Sequence, residues 1–196
     1  MTQPYGPEVA LIVVDVQNDF ADPTGGLYVV GGEQVVQVVN AEIATARAAG
    51  APVFYTQDWH PPVTPHFAKD GGVWPVHCVA GTWGADLRPD LTVSGPIVRK
   101  GVNGEDGYSG FSVRDPSSGD VRATELGNLL KDASVRHVVV TGLAGDVCVK
   151  ATALDAQELG FSVTVPLAAT RFVNLQEGDD ERAIAQLRAA GVDVTA

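Results

Sequence analysis

The chain has 196 residues, 45% of them hydrophobic and 19% charged, which suits one globular domain over residues 1–196 with a substantial core. Its formal net charge of −11 argues against nucleic acid or an anionic membrane surface as a partner, since both want a basic face. Two cysteines, Cys78 and Cys148, make no disulfide framework and point to a reducing, cytoplasmic setting; the opening stretch, with no basic leader and an apolar run broken at Asp15, predicts neither a signal peptide nor a membrane span.

Val9 to Val14 is a near-continuous apolar run and reads as a central strand buried on both faces. It ends at Asp15, whose carboxylate would point into the crevice where open α/β sheets bind ligands, whereas Asp19 better fits a turn or capping role. Glu33 to Ala49 carries Val35, Val36, Val39, Ile43 and Ala46 at helical spacing, closed by Gly50, and Val53 to Thr56 reads as a second strand. The segment from Asp58 to Trp83 is rich in proline and glycine but holds His60, His66, His77 and several aromatics, the composition of a functional loop. Ile97 to Lys100 reads as a strand ending in a lysine, followed by the Gly-rich loop Gly101–Gly110, and Glu125 to Lys131 as a helical piece. His137 to Thr141 is a β-branched strand, with His137 an ordinary structural residue at its start. Asp146 to Glu158 reads as a helix with Asp146 as N-cap and Cys148 in its first turn. Ser162 to Val165, a helix over Gly178 to Ala190 and a short strand Val192 to Val194 complete the chain. This alternation predicts a doubly wound α/β fold: a mainly parallel six-stranded sheet with helices on both faces.

That fold gathers residues that the sequence keeps apart. Asp15, Lys100 and Cys148 would meet at the carboxyl edge of the sheet. A carboxylate can take the thiol proton, and a lysine can stabilise the thiolate and hold the carboxylate ionised. A helix-start position also favours the thiolate through the backbone N–H groups and the helix dipole. The plain alternative is a buried ion pair beside an inert thiol, but such pairs stabilise a fold poorly compared with an apolar core. Asp58, His60, His66 and His77 offer nitrogen and oxygen donors that suit a divalent transition metal; zinc, iron(II) and manganese all accept such a set. Backbone N–H groups of Gly142-Leu143-Ala144-Gly145, just before the cysteine, would suit an oxyanion hole.

With these residues in place, the chain resembles the nicotinamidases of the isochorismatase-like cysteine hydrolase superfamily. The shared pieces are VDVQNDF at 14–20, the D-x-H of Asp58 and His60, PHF at 65–67, WPVHC at 74–78, GTWGA at 81–85, RKG at 99–101, YSGF at 108–111 and GLAGDVCV at 142–149. The resemblance implies Asp15, Lys100 and Cys148 as a catalytic triad, and Asp58, His60, His66 and His77 as ligands of one divalent metal, zinc or iron(II) foremost, with manganese also accepted. It further implies an oxyanion hole from the Ala144 and Cys148 N–H groups, a cis peptide at Leu143–Ala144, and a pocket walled by Phe20, Leu27, Trp74 and Tyr108. Val147 stands where some relatives have a histidine beside the nucleophile. The activity implied is hydrolysis of nicotinamide, or analogues such as pyrazinamide, to the acid and ammonia through a thioester, as in NAD salvage, by a monomer or homo-oligomer. A carbamoyl or ureido hydrolase with the same triad is the alternative. A third reading, from another class, is a metal- or ligand-binding protein without turnover.

Overall fold

The structure, a computed structural model, describes residues 5–196. Its frame is a seven-stranded sheet in the order β3-β2-β1-β6-β7-β9, with short β8 pairing on β6. The strands are β1 (Val9–Val14), β2 (Val53–Asp58), β3 (Ile97–Lys100), β6 (His137–Leu143), β7 (Ser162–Pro166), β8 (Thr170–Arg171) and β9 (Asp193–Thr195). Every pairing in this sheet is parallel. From β1 the chain steps outward through β2 to β3, then returns to the other side of β1 for β6, β7 and β9. The reversal falls between β1 and β6, and ligands bind at the carboxyl ends of the strands flanking such a switch point.

The core follows from strand periodicity. Side chains alternate across a strand. Along β1, Val9, Leu11 and Val13 enter one apolar layer with Val35, Val36, Val39 and Ile43 of α2 (Gly32–Ala48). Ala10, Ile12 and Val14 enter the opposite layer, with Leu126 and Leu130 of α3 (Leu126–Asp132), Ala153 and Ala156 of α4 (Lys150–Glu158) and Leu187 of α5 (Asp179–Ala189). A short helix, α1 (Asn18–Ala21), packs Phe20 and Ala21 into the first layer. No helix among the described residues is long and apolar enough to cross a membrane.

Three local features depart from the sequence reading. The six strands it predicts are present, and two-residue β8 adds a seventh. A separate antiparallel hairpin, β4 (Ser112–Arg114) with β5 (Val121–Ala123), lies between β3 and α3. The predicted helix Asp146–Glu158 is divided: a π-helical turn over Gly145–Val149 precedes α4. Asp146 caps no helix; its carboxylate instead accepts hydrogen bonds from the N–H groups of Val173 and Asn174, 2.9 and 2.8 Å away, and ties down the segment after β8.

Candidate active site

The parallel register brings the sequence-distant groups together. Asp58 and Lys100 are paired partners at the ends of β2 and β3. Asp15 follows β1, with φ +49°, and its N–H reaches the Thr56 carbonyl of β2 at 3.3 Å. On the other side Val14 pairs with Gly142 of β6, the strand that leads into the cysteine turn. Gly142 has φ +107°, and a Cβ there would stand 2.1 Å from the Val14 carbonyl oxygen, so only glycine lets the two strands close at this point.

Lys100 is fully buried and serves as the hub. Its ammonium lies 2.7 Å from Asp15 Oδ2, donates to Asp58 Oδ1 and to the Gly107 carbonyl, and sits 3.8 Å from Cys148 Sγ. The Asp15 contact is an ion pair rather than an aligned hydrogen bond, since Oδ2 has no hydrogen-bond partner, while Thr56 Oγ1 donates to Oδ1 at 2.6 Å. One ligand atom each of Asp15, Asp58 and Cys148 lies within 4.8 Å of the other two. Burial opposes charge on Lys100, but Asp15, Asp58 and Cys148 outweigh it and hold the ammonium well above its usual range. Burial pushes Asp15 up to about 6, with Lys100 pulling the other way. Burial also pushes the Cys148 thiol well above its usual value, and the two carboxylates add to the rise. Removal from water and two nearby negative charges outweigh the pull of Lys100 toward the thiolate. The arrangement is a protonated thiol beside a carboxylate that can receive its proton.

Next to this trio, the rings of His60, His66 and His77 converge, each offering a nitrogen within 4.8 Å of the others. His66 Nδ1 is engaged by Asp106 Oδ1 at 2.7 Å, and His77 Nδ1 donates to the Pro75 carbonyl at 2.7 Å, which leaves both Nε2 atoms for the centre. Asp58 Oδ2 lies 3.8 Å from His60 Nε2 and 3.9 Å from His77 Nε2, while its other oxygen serves Lys100. Both His60 ring nitrogens are buried without a hydrogen-bond partner. A buried imidazole left unpaired is costly, and a metal ion would satisfy it. Three imidazoles and a carboxylate are the donor set a divalent transition metal takes, so the residues fit such a group.

A cavity open to solvent lies over the thiol, with His66 and His77 in its lining. Phe20, Leu27, Trp74 and Tyr108 line it, as do Ala144 and Cys148. Val29, Val147 and Val173 extend the apolar lining and were not singled out as walls. Trp74 Nε1 donates to the Tyr108 hydroxyl at 2.9 Å and joins two walls. The Leu143–Ala144 peptide is cis.

Other polar groups hold the site from behind. Gln17 donates to the Asp58 and Ala85 carbonyls and accepts the Asp58 N–H, all at 2.8 Å. Asp19, as its turn role suggests, accepts from the N–H groups of Gly26 and Cys78, at 2.8 and 2.6 Å, and fixes the backbone next to His77. Asp106 is one carboxylate in a loop of glycines, and only its contact with His66 reveals it.

Fold and site define an α/β enzyme with its reactive groups at the carboxyl edge of a parallel sheet. The chain belongs to the isochorismatase family: the isochorismatase domain matches residues 9–196. The nicotinamidase of Escherichia coli (strain K12) is 37% identical over 203 residues, covering 94% of this chain and 93% of its own. The crystal structure of PnC1 from L. infantum in complex with nicotinate superposes with a TM-score of 0.89 at 36% identity, covering 99% and 96% of the two chains. Pyrazinamidase of Pyrococcus horikoshii in complex with zinc gives 0.85 at 36% identity, covering 96% and 99%. Relatives at this identity over nearly the whole chain place it among amidohydrolases of the nicotinamidase type.

Proposed function

We propose that the protein hydrolyses nicotinamide to nicotinate and ammonia, with Cys148 as nucleophile, Asp15 as proton carrier and Lys100 as the charge that steadies both. The observation that carries the proposal is the meeting of Cys148 Sγ, the Asp15 carboxylate and the buried Lys100 ammonium under an aromatic cavity beside three histidines. Asp58, His60, His66 and His77 would hold one divalent ion, zinc or iron(II). When bound, such an ion supplies Lewis-acid charge that anchors a ring nitrogen and orients the carboxamide toward the thiol.

Asp15 takes the thiol proton as sulfur attacks the carboxamide carbon. The ammonium of Lys100, 3.8 Å from Sγ, offsets the charge forming on sulfur. The developing oxyanion rests on the Ala144 and Cys148 N–H groups. Asp15 then returns its proton to the nitrogen, the carbon–nitrogen bond breaks and ammonia leaves. Water adds to the thioester carbon while Asp15 takes a proton from it; the carbon–sulfur bond breaks, and the thiol recovers its proton from Asp15. The net change is one amide and one water to one acid and one ammonia.

Cavity composition favours this substrate over a carbamoyl or ureido compound that carries a carboxylate. Among the described residues no arginine or lysine lines the cavity, and Asp58 is the one acidic side chain there, so an anionic substrate finds no side-chain cation in the lining. Ammonia release from nicotinamide and from an N-carbamoyl amino acid, compared on one preparation, tests this. A larger kcat/KM for nicotinamide is expected; preference for the N-carbamoyl compound would overturn it.

A further inference from the structure

Residues 105–108 form a strap that Glu105 anchors and whose other three residues each hold a different part of the site. Glu105 is buried, accepts from the Asn103 N–H at 2.8 Å and from Asn103 Nδ2 at 3.0 Å, and pairs with Arg122 of the β4–β5 hairpin. Asp106 holds His66, Gly107 receives the Lys100 ammonium on its carbonyl, and Tyr108 receives Trp74 Nε1. The Asp106 backbone is fixed separately, through two hydrogen bonds with Arg114 at 2.8 and 2.9 Å. Its carboxylate is therefore presented to the imidazole from a backbone that does not depend on that contact.

We propose that Asp106 is a positioning residue for His66: its carboxylate keeps the ring proton on Nδ1 and turns the bare Nε2 toward the nitrogens of His60 and His77. The inference rests on the reading of the histidine cluster as a metal centre. A carboxylate accepts only, so the 2.7 Å contact places a proton on Nδ1, and a metal at Nε2 then needs the tautomer that leaves Nε2 bare. His77 is oriented by a neutral carbonyl and His60 by no hydrogen bond at all, which leaves His66 as the one ring of the three with a carboxylate behind it at hydrogen-bond distance. Such a partner fixes tautomer and ring direction and raises the basicity of the nitrogen facing the ion. The hairpin, through Arg114 and Arg122, thereby reaches the metal-binding histidines.

Zinc binding by metal-stripped protein, measured by competition with a chromophoric chelator, tests the assignment alongside the ring-nitrogen NMR spectrum of His66. Asp106→Ala should weaken zinc binding by about 10–100-fold, with the thermal midpoint of the stripped protein little changed because the backbone bridge to Arg114 remains. Asp106→Asn keeps an oxygen acceptor at the same place and should recover most of the loss. In the stripped wild-type protein the His66 proton should reside on Nδ1. Zinc binding that is equal in wild type and Asp106→Ala would overturn the inference and leave the metal reading standing. A wild-type protein that takes up no zinc would overturn the metal reading and this inference with it. Should Asp106→Ala fail to fold, the wild-type spectrum decides: a proton on Nε2 of His66 overturns the assignment.

Discussion

In the proposed mechanism Asp15 carries the proton, and burial sets where it titrates. Removal from water lifts it to about 6, against the pull of Lys100. It must be ionised to accept the thiol proton, so activity should rise with pH through that value and fall as acid protonates it. A profile of kcat/KM against pH should show its acid limb near 6; a limb near 4, where a solvated aspartate titrates, would contradict the role. Asp15→Asn keeps the shape and removes the base, and should lower kcat by about 10²–10⁴-fold with metal content unchanged, as steady-state kinetics and metal analysis would show. At this scale the sequence was informative where a residue type is rare or clustered. Three histidines on one loop, and a lysine and an aspartate at strand ends, stood out. Asp106 did not, because a single carboxylate in a loop looks like turn chemistry until a partner faces it. Helix-start effects on Cys148 are local and legible in the sequence, whereas the desolvation and the two carboxylates that oppose them come from the assembled sheet.

Among the elements, long periodic segments were readable and short ones were not. The apolar run of β1 and the spacing of α2 exceed any competing pattern, and their bounds agree with the sequence reading within a residue or so. Hairpin strands of three residues, Ser-Val-Arg and Val-Arg-Ala, have no alternation to detect. The π-helical turn at Gly145–Val149 shares its residue types with an α-helix, and Gly145 packs where a Cβ would meet the Phe172 ring at 2.6 Å. Gly101 links element geometry to the histidines. It has φ +74°, and a Cβ there would stand 2.5 Å from the His60 ring. Gly101→Ala should therefore displace His60, weaken zinc binding and cost more than about 1 kcal/mol in denaturant stability. Unchanged zinc affinity in that variant would show that the strand end and the ring are not coupled.

At the scale of the whole molecule, one ammonium joins three strands. Lys100 of β3 contacts Asp15 after β1 and Asp58 of β2, all buried. Lys100→Met would leave two carboxylates buried without their cation and should lower unfolding free energy by about 3–5 kcal/mol, read from denaturant midpoints. Metal adds to stability by mass action: zinc at about 100 times its Kd should raise unfolding free energy by about 2.7 kcal/mol, and a chelator should reverse the shift. A thermal midpoint indifferent to zinc would argue that the histidines serve the fold alone. The account turns on Cys148 as the attacking atom, and the most direct test is the rate of ammonia release from nicotinamide by Cys148→Ala. The expected result is a loss of about 10⁴-fold or more with zinc content and fold intact. Turnover within tenfold of wild type would contradict it, because among the described residues no other thiol borders the cavity.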